Sequence, residues 1–96
     1  MKNMDYATAC DQASKEQGIS AIVDALGALG IKASSAQTGG FTMCAYVELT
    51  AHRFIYATPY GVSIYSDEDY LSDISQHNER QDPALIAQEI NNYINA

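Results

Sequence analysis

The sequence has few basic residues: five lysines and arginines stand against twelve aspartates and glutamates, and the formal net charge is −7. A chain with this charge repels phosphate backbones, so we expect no direct nucleic-acid binding through a basic face. Attraction to an anionic membrane surface is disfavoured for the same reason. The charge instead favours partners that are neutral or basic proteins.

Cysteine and long apolar runs are also scarce. Cys10 falls in a predicted helix and Cys44 in a predicted strand, which does not resemble a disulfide framework, so we expect two reduced, buried thiols. No run approaches the roughly 18 apolar residues that cross a bilayer. The first 18 residues contain no apolar segment typical of a secretory signal. We therefore expect a cytoplasmic protein.

Motifs of catalysis and metal binding are missing from the sequence. It has no Cys-x-x-Cys and no His-Glu-x-x-His, and the run from Asp67 to Asp69 lacks the spaced oxygen donors of a calcium loop. Cys44 is predicted mid-strand and His52 at a strand end, too far apart for a nucleophile and its base. Asp73 and His77 are four residues apart and would meet on a helix, either as a surface ion pair or as accidental neighbours rather than as an acid–base couple. We expect no enzyme, no metal and no cofactor.

Three helices are predicted in a single domain of 96 residues. A weakly apolar helix covers Met4–Gln17, and a strongly amphipathic one covers Ile19–Leu29, where Gly30 is suited to the left-handed conformation that ends a helix. Gly27 within that helix suggests a close crossing with a sheet. Asp82-Pro83 starts a C-terminal helix, Pro83–Tyr93, which should pack beside the second helix.

Between the helices, the segment Gly39–Asp67 reads GGFTMCAYVELTAHRFIYATPYGVSIYSD and predicts a three-stranded antiparallel meander. Thr50-Ala51 is taken as a two-residue loop, and Thr58–Gly61 as a type I turn followed by a glycine bulge. Ile31–Ser35 is either a fourth, edge strand or part of a loop. An edge at Ile31–Ser35 or at 62–66 would allow a homodimer, and a monomer is equally compatible with the sequence.

This register sorts the strand residues into two faces. The predicted core face contains Phe41, Met43, Ala45, Val47, Leu49, Phe54, Tyr56, Val62 and Ile64. The second face has a cross-strand row formed by Tyr46, Ile55 and Tyr65. A longer first loop would shift the register, and a one-residue slip would exchange part of these sets.

After the meander, Ser66-Asp67-Glu68-Asp69 is typical of a helix start, with a capping serine and carboxylates in the first turn. It predicts a short acidic helix before the C-terminal one. The expected fold is therefore α+β: two N-terminal helices, a meander of three or four strands, this acidic helix and the C-terminal helix packed on the sheet.

Two features indicate recognition of a partner. Residues 66–96 have seven carboxylates and one basic residue, which form either a solvated surface or a negative patch for a basic partner. Tyrosines on the second sheet face form either a binding hot spot or, under a covering helix, a second core. The candidate partner-binding residues are Tyr46, Glu48, Ile55, Tyr65, Asp67, Glu68, Asp69, Tyr70 and Asp73.

The run GVSIYSDEDYLSD, from Gly61 to Asp73, together with the small size and the charge, resembles phage- or plasmid-borne inhibitors of the anti-CRISPR kind. The resemblance is to a class of protein and includes no specific family motif. It implies a protein in the host cytoplasm that occupies a nucleic-acid-binding groove of a CRISPR effector. Carboxylates would stand in for phosphates, although several such inhibitors are not DNA mimics.

A second hypothesis comes from another class. Type III secretion chaperones are also small and acidic, with helices around an antiparallel sheet, and this chain is similar in outline although shorter than they commonly are. A chaperone or immunity protein would hold a client or toxin on the open sheet face. A small enzyme or ligand-binding domain is the third alternative.

Overall fold

The computed structural model describes residues 6–39, 42–67 and 69–96. They form three helices and one five-stranded antiparallel sheet, which confirms the α+β class and adds strands to the three or four predicted. The helices are α1 (Tyr6–Glu16), α2 (Ile19–Ala28) and α3 (Pro83–Ile94). The strands are β1 (Ser34–Gly39), β2 (Thr42–Glu48), β3 (Arg53–Thr58), β4 (Gly61–Ser66) and β5 (Asp69–Gln76).

The helix boundaries follow the turn signals in the sequence. Gly18, with φ 79°, separates α1 from α2, and Gly30 has the same left-handed φ just after α2, as predicted. The Ile31 amide donates to the Leu26 carbonyl at 2.9 Å and closes the helix end. Pro83 begins α3, which packs against α2 as expected. The predicted start of α1, before Tyr6, lies outside the described residues.

The strands follow one another in space in the order β1-β2-β3-β4-β5. An edge strand does precede the meander, but it lies at Ser34–Gly39, later than the predicted Ile31–Ser35, and it pairs Ser34 with Tyr46. Residues 37–39 belong to this strand. Residues 62–66, considered above as an edge, lie inside the sheet between β3 and β5.

Both hairpin registers differ by one residue from the prediction. The first loop is longer than two residues because Thr50 organises it: its Oγ1 accepts hydrogen bonds from the amides of His52 (3.2 Å) and Arg53 (3.0 Å). Glu48 therefore pairs with Phe54. The second loop is tighter than predicted, and Thr58 pairs directly with Gly61.

Both one-residue register shifts involve β3. They therefore exchange the two faces of β3 and leave the faces of β2 and β4 as predicted. Ile55 is fully buried in the core, whereas the sequence predicts it on the second face. Phe54 and Tyr56, predicted as core, point the other way. The assignments of β2 and β4 are correct, with Met43, Ala45, Val47, Val62 and Ile64 all buried in the core. Phe41 lies outside the described residues.

The predicted acidic helix after Ser66 is wrong: Asp69–Gln76 is the edge strand β5, paired with β4. Asp67 adopts φ 54°, a left-handed conformation that aspartate tolerates better than most residues, and its amide donates to the His52 carbonyl at 2.7 Å. The chain thus turns back at Asp67 and continues the meander. Pairing along β4 outweighs the local helix-start signature.

One core lies between the helices and one face of the sheet. It joins Ile19, Ile22 and Leu26 of α2 to Ile86 and Ile90 of α3. It also contains seven buried residues of the three central strands: Met43, Ala45, Val47, Ile55, Ala57, Val62 and Ile64. Since α1, α2 and α3 share this core or pack on its margin, the helices cover a single face of the sheet.

Gly27 does not mark a close crossing: it is exposed, and an added Cβ would have no neighbour within 4 Å. Gly61 is the glycine that a close approach requires, because a Cβ there would lie 2.7 Å from the Ser75 carbonyl oxygen. In the part of the chain that the structure describes, no helix combines the length and apolar character needed to cross a membrane.

Candidate functional site

Five aromatic side chains form one continuous group on the sheet face opposite the helices. We call this surface the aromatic face; its rings belong to Tyr46, Phe54, Tyr56, Tyr65 and Tyr70. Tyr56 is central, with its ring centroid 4.9 Å from that of Tyr65 and 5.4 Å from that of Phe54. Such centroid separations are those at which aromatic pairs attract one another.

The observed register brings these rings together across four strands. Tyr46 pairs with Tyr56, Phe54 with Tyr65, and Tyr65 with Tyr70, so each ring stands beside one on the next strand. Cross-strand aromatic pairs stabilise a sheet by roughly 0.2–1 kcal/mol each. The sheet itself therefore positions the aromatic face.

No described helix covers the aromatic face. None of the five rings belongs to the core cluster that contains the helix residues, because they alternate along the strands with the core residues. Four of them are half-buried against one another, and Tyr70 is 55% exposed. Of the two alternatives left by the sequence, the described residues show the open face.

The structure gathers only part of the predicted site. Tyr46, Tyr65 and Tyr70 lie on the aromatic face, whereas Ile55 is in the core. Sequence reasoning missed Phe54 and Tyr56. The signal that identifies them is Thr50, since a threonine that accepts hydrogen bonds from following amides stabilises a longer loop and shifts the register by one.

The predicted carboxylates differ in their surroundings. Asp67 Oδ1 is 3.0 Å from His52 Nδ1 at the end of the first hairpin. Glu48 and Asp69 are exposed, and Glu48 lies with Tyr46 along a shallow groove. Glu68 lies outside the described residues. The acids therefore do not form one array with uniform spacing.

Asp73 is half-buried and hydrogen-bonded to neutral groups. Its carboxylate accepts from Ser63 Oγ at 2.7 Å and from Gln76 Nε2. Desolvation and a hydrogen bond to Asp73 raise the pKa of the Tyr70 hydroxyl. Asp73 is thus part of a hydrogen-bonded group beside the aromatic rings.

A groove of about 340 Å³ opens beside these rings. The residues that line it include the half-buried Tyr56, Tyr65 and Asp73 and the buried Cys44. Cys44 is only 2% exposed, and burial raises its pKa to about 12. A thiol that stays protonated near neutral pH is a poor nucleophile.

Asp73 and His77 do not share a helix, because Asp69–Gln76 is a strand. His77 Nε2 lies 2.9 Å from Glu89 Oε1, and Ser75 Oγ donates to the same carboxylate oxygen at 3.2 Å. This cluster ties the end of β5 to α3. Within residues 6–39, 42–67 and 69–96, no three side chains of the metal-binding types lie close enough to hold a metal ion.

No protein family matches the chain, and neither the curated proteins nor the solved structures give a match.

Proposed function

We propose that the protein is a non-enzymatic inhibitor that acts by binding a partner protein through the aromatic face. The observation behind this proposal is the set of five neighbouring rings on a sheet face that no described helix covers. Tyrosine and other aromatic side chains are enriched at interface hot spots, since they bury a large area with few rotatable bonds. Because the rings pack against one another in the free protein, they are pre-organised, and less side-chain entropy is lost on binding.

A protein partner agrees better with the charge than a nucleic acid does. Aromatic rings on an open sheet can stack with bases of single-stranded RNA or DNA. Those sites, however, combine the rings with a positively charged groove, whereas this chain has a net charge of −7. The groove beside the rings is lined by a carboxylate, Asp73, which would repel a phosphate backbone.

The exposed acids Glu48 and Asp69 favour a partner with a basic rim around its contact surface. Among the described residues, neither makes an ion pair within the chain, so both are free to attract opposite charge. A nucleic-acid-binding surface, such as that of a CRISPR effector subunit, has this character. Charges of this kind raise the association rate more than they strengthen the complex.

A second candidate function, a chaperone or immunity protein for a client or toxin, is favoured by a different observation. Asp67 is paired with His52 and Asp73 is hydrogen-bonded to Ser63 and Gln76, so these carboxylates are poor imitations of free phosphates. In that case aromatic contact would supply nearly all of the affinity.

Binding by the wild-type chain and by matched variants tests the proposal. The partner is isolated on the immobilised wild-type protein from the cells that express it, and its Kd is then measured for Tyr65→Ala and Tyr93→Ala. Tyr93 is also exposed, at 40%, but belongs to α3. We expect at least a tenfold weaker Kd for Tyr65→Ala and less than a twofold change for Tyr93→Ala. Equal affinity of the two variants would exclude the aromatic face.

Salt dependence separates the two candidates. An inhibitor of a basic nucleic-acid-binding surface should lose affinity steeply as the salt concentration rises from about 50 to about 500 mM. Over this range the Debye length falls well below about 10 Å, so charge–charge attraction is screened. It should also weaken when Asp67, Glu68 and Asp69 are replaced together by Asn, Gln and Asn. A chaperone should respond to neither change while remaining sensitive to Tyr65→Ala.

A further inference from the structure

The groove beside the aromatic face combines ring surfaces with a negative charge. Tyr56 and Tyr65 line it from β3 and β4, Tyr60 lines it from the loop between these strands, and Asp73 lines it from β5. Its volume, about 340 Å³, lies at the lower end of the range for binding pockets. It has room for one long side chain of a partner.

The Asp73 carboxylate is held in place without being neutralised. Its hydrogen-bond donors are the Ser63 hydroxyl and the Gln76 amide, both of them uncharged. Among the described residues, no lysine, arginine or histidine lies within ion-pair distance of it. A carboxylate fixed by neutral donors retains acceptor capacity, since two oxygens offer about four lone-pair sites.

We propose that this groove receives a basic side chain, arginine or lysine, from the partner protein. The positive group would meet the negative faces of the tyrosine rings and pair with the Asp73 carboxylate. Both interactions favour a cation, whereas an anionic side chain would be repelled and a neutral one would leave the carboxylate unpaired. This inference rests on the proposed function and adds to it the chemistry of the inserted group.

Small amides that imitate one residue test the groove directly. The probes are the N-acetyl N-methylamides of arginine, of lysine and of citrulline, which has the shape of arginine without its charge. Amide signals of the ¹⁵N-labelled wild-type protein are followed by NMR during each titration. We expect saturable shifts at Ser63, Tyr65 and Asp73 with arginine or lysine, and at least tenfold weaker binding of citrulline.

Two isosteric variants provide the matched comparison. Asp73→Asn removes the charge in the groove, and Asp24→Asn removes the same charge at an exposed position on α2, outside the groove. We expect at least a tenfold weaker Kd for the arginine probe with Asp73→Asn and less than a twofold change with Asp24→Asn. The wild-type comparison of arginine with citrulline decides the question even if Asp73→Asn fails to fold.

Three results would overturn the inference: equal binding of citrulline and arginine, equal effects of the two variants, or no saturable shift around the groove with either cationic probe. None of them would overturn the proposed function, because the loss of partner binding in Tyr65→Ala is measured separately. Conversely, cation binding by the groove without any effect of Tyr65→Ala on partner binding would exclude the proposed interface and, with it, the entry of a partner's side chain into the groove.

Discussion

The position of β3 in the sheet is tested most sharply by replacing Ile55 with alanine. Ile55 is fully buried and belongs to the core cluster, and the change removes three carbons. At about 0.8 kcal/mol per buried carbon the transfer loss is about 2.4 kcal/mol, and an incompletely collapsed cavity raises the cost to about 3.5 kcal/mol. Phe54→Ala should cost about 1.5 kcal/mol, since that ring is half-exposed on the aromatic face.

Urea unfolding followed by circular dichroism measures both variants, with the slope of the transition checked for constancy. In the register predicted by the sequence, Phe54 would be in the core and Ile55 on the open face, and the order of the two costs would be reversed. A larger loss for Phe54→Ala than for Ile55→Ala would therefore refute the observed register and, with it, the aromatic face.

Further substitutions test individual positions. Gly27→Ala should raise the free energy of unfolding by about 0.5–1 kcal/mol, because Gly27 is an exposed helix residue with free space around it. Gly30→Ala should lower the free energy of unfolding by about 1 kcal/mol, because Gly30 has the left-handed φ of 79°. Thermal melts measure both variants. Gly61→Ala should lower the free energy of unfolding by about 2 kcal/mol because a β5 carbonyl oxygen blocks the new Cβ, and a neutral or stabilising result in the same melts would contradict that close approach. In the native protein at pH 8, Cys44 should react with iodoacetamide far more slowly than the half-exposed Cys10, as mass spectrometry of the alkylated peptides would show. Folding raises the pKa of Cys44 from 9.0 to about 12. The stability that its protonated thiol contributes is therefore complete below pH 9 and should fall as the pH rises from 9 to 12. Across that range the denaturation midpoint of Cys44→Ala should fall less than that of the wild-type protein.

Those parts of the fold that depend on periodicity and glycine could be predicted from the sequence. The Ile19–Ala28 and Pro83–Ile94 helices are specified by apolar residues at helical spacing and by Gly30 and Pro83. The core residues of β2 and β4 follow from their spacing at every second position: Met43, Ala45 and Val47 in β2, and Val62 and Ile64 in β4. These features are local, so a stretch of ten residues is enough to reveal them.

The candidate site depends on longer-range choices that local patterns did not settle. Its composition depends on loop length, and the hydrogen bonds of Thr50 Oγ1 with two following amides set that length. In the same way, the helix-start signature at 66–69 was overridden by pairing of β5 with β4. One residue of slip at β3 was enough to replace Ile55 by Phe54 and Tyr56 on the open face.

Site-specific photocross-linking tests the central proposal, that the aromatic face binds a partner protein. Benzoylphenylalanine is placed at Tyr65 in one sample and at Tyr93, an exposed residue of α3, in another, and each is irradiated with the isolated partner. The proposal predicts a covalent adduct from position 65, suppressed by excess wild-type protein, and none from position 93. An adduct from position 93 alone, or equal yields from both, would contradict it.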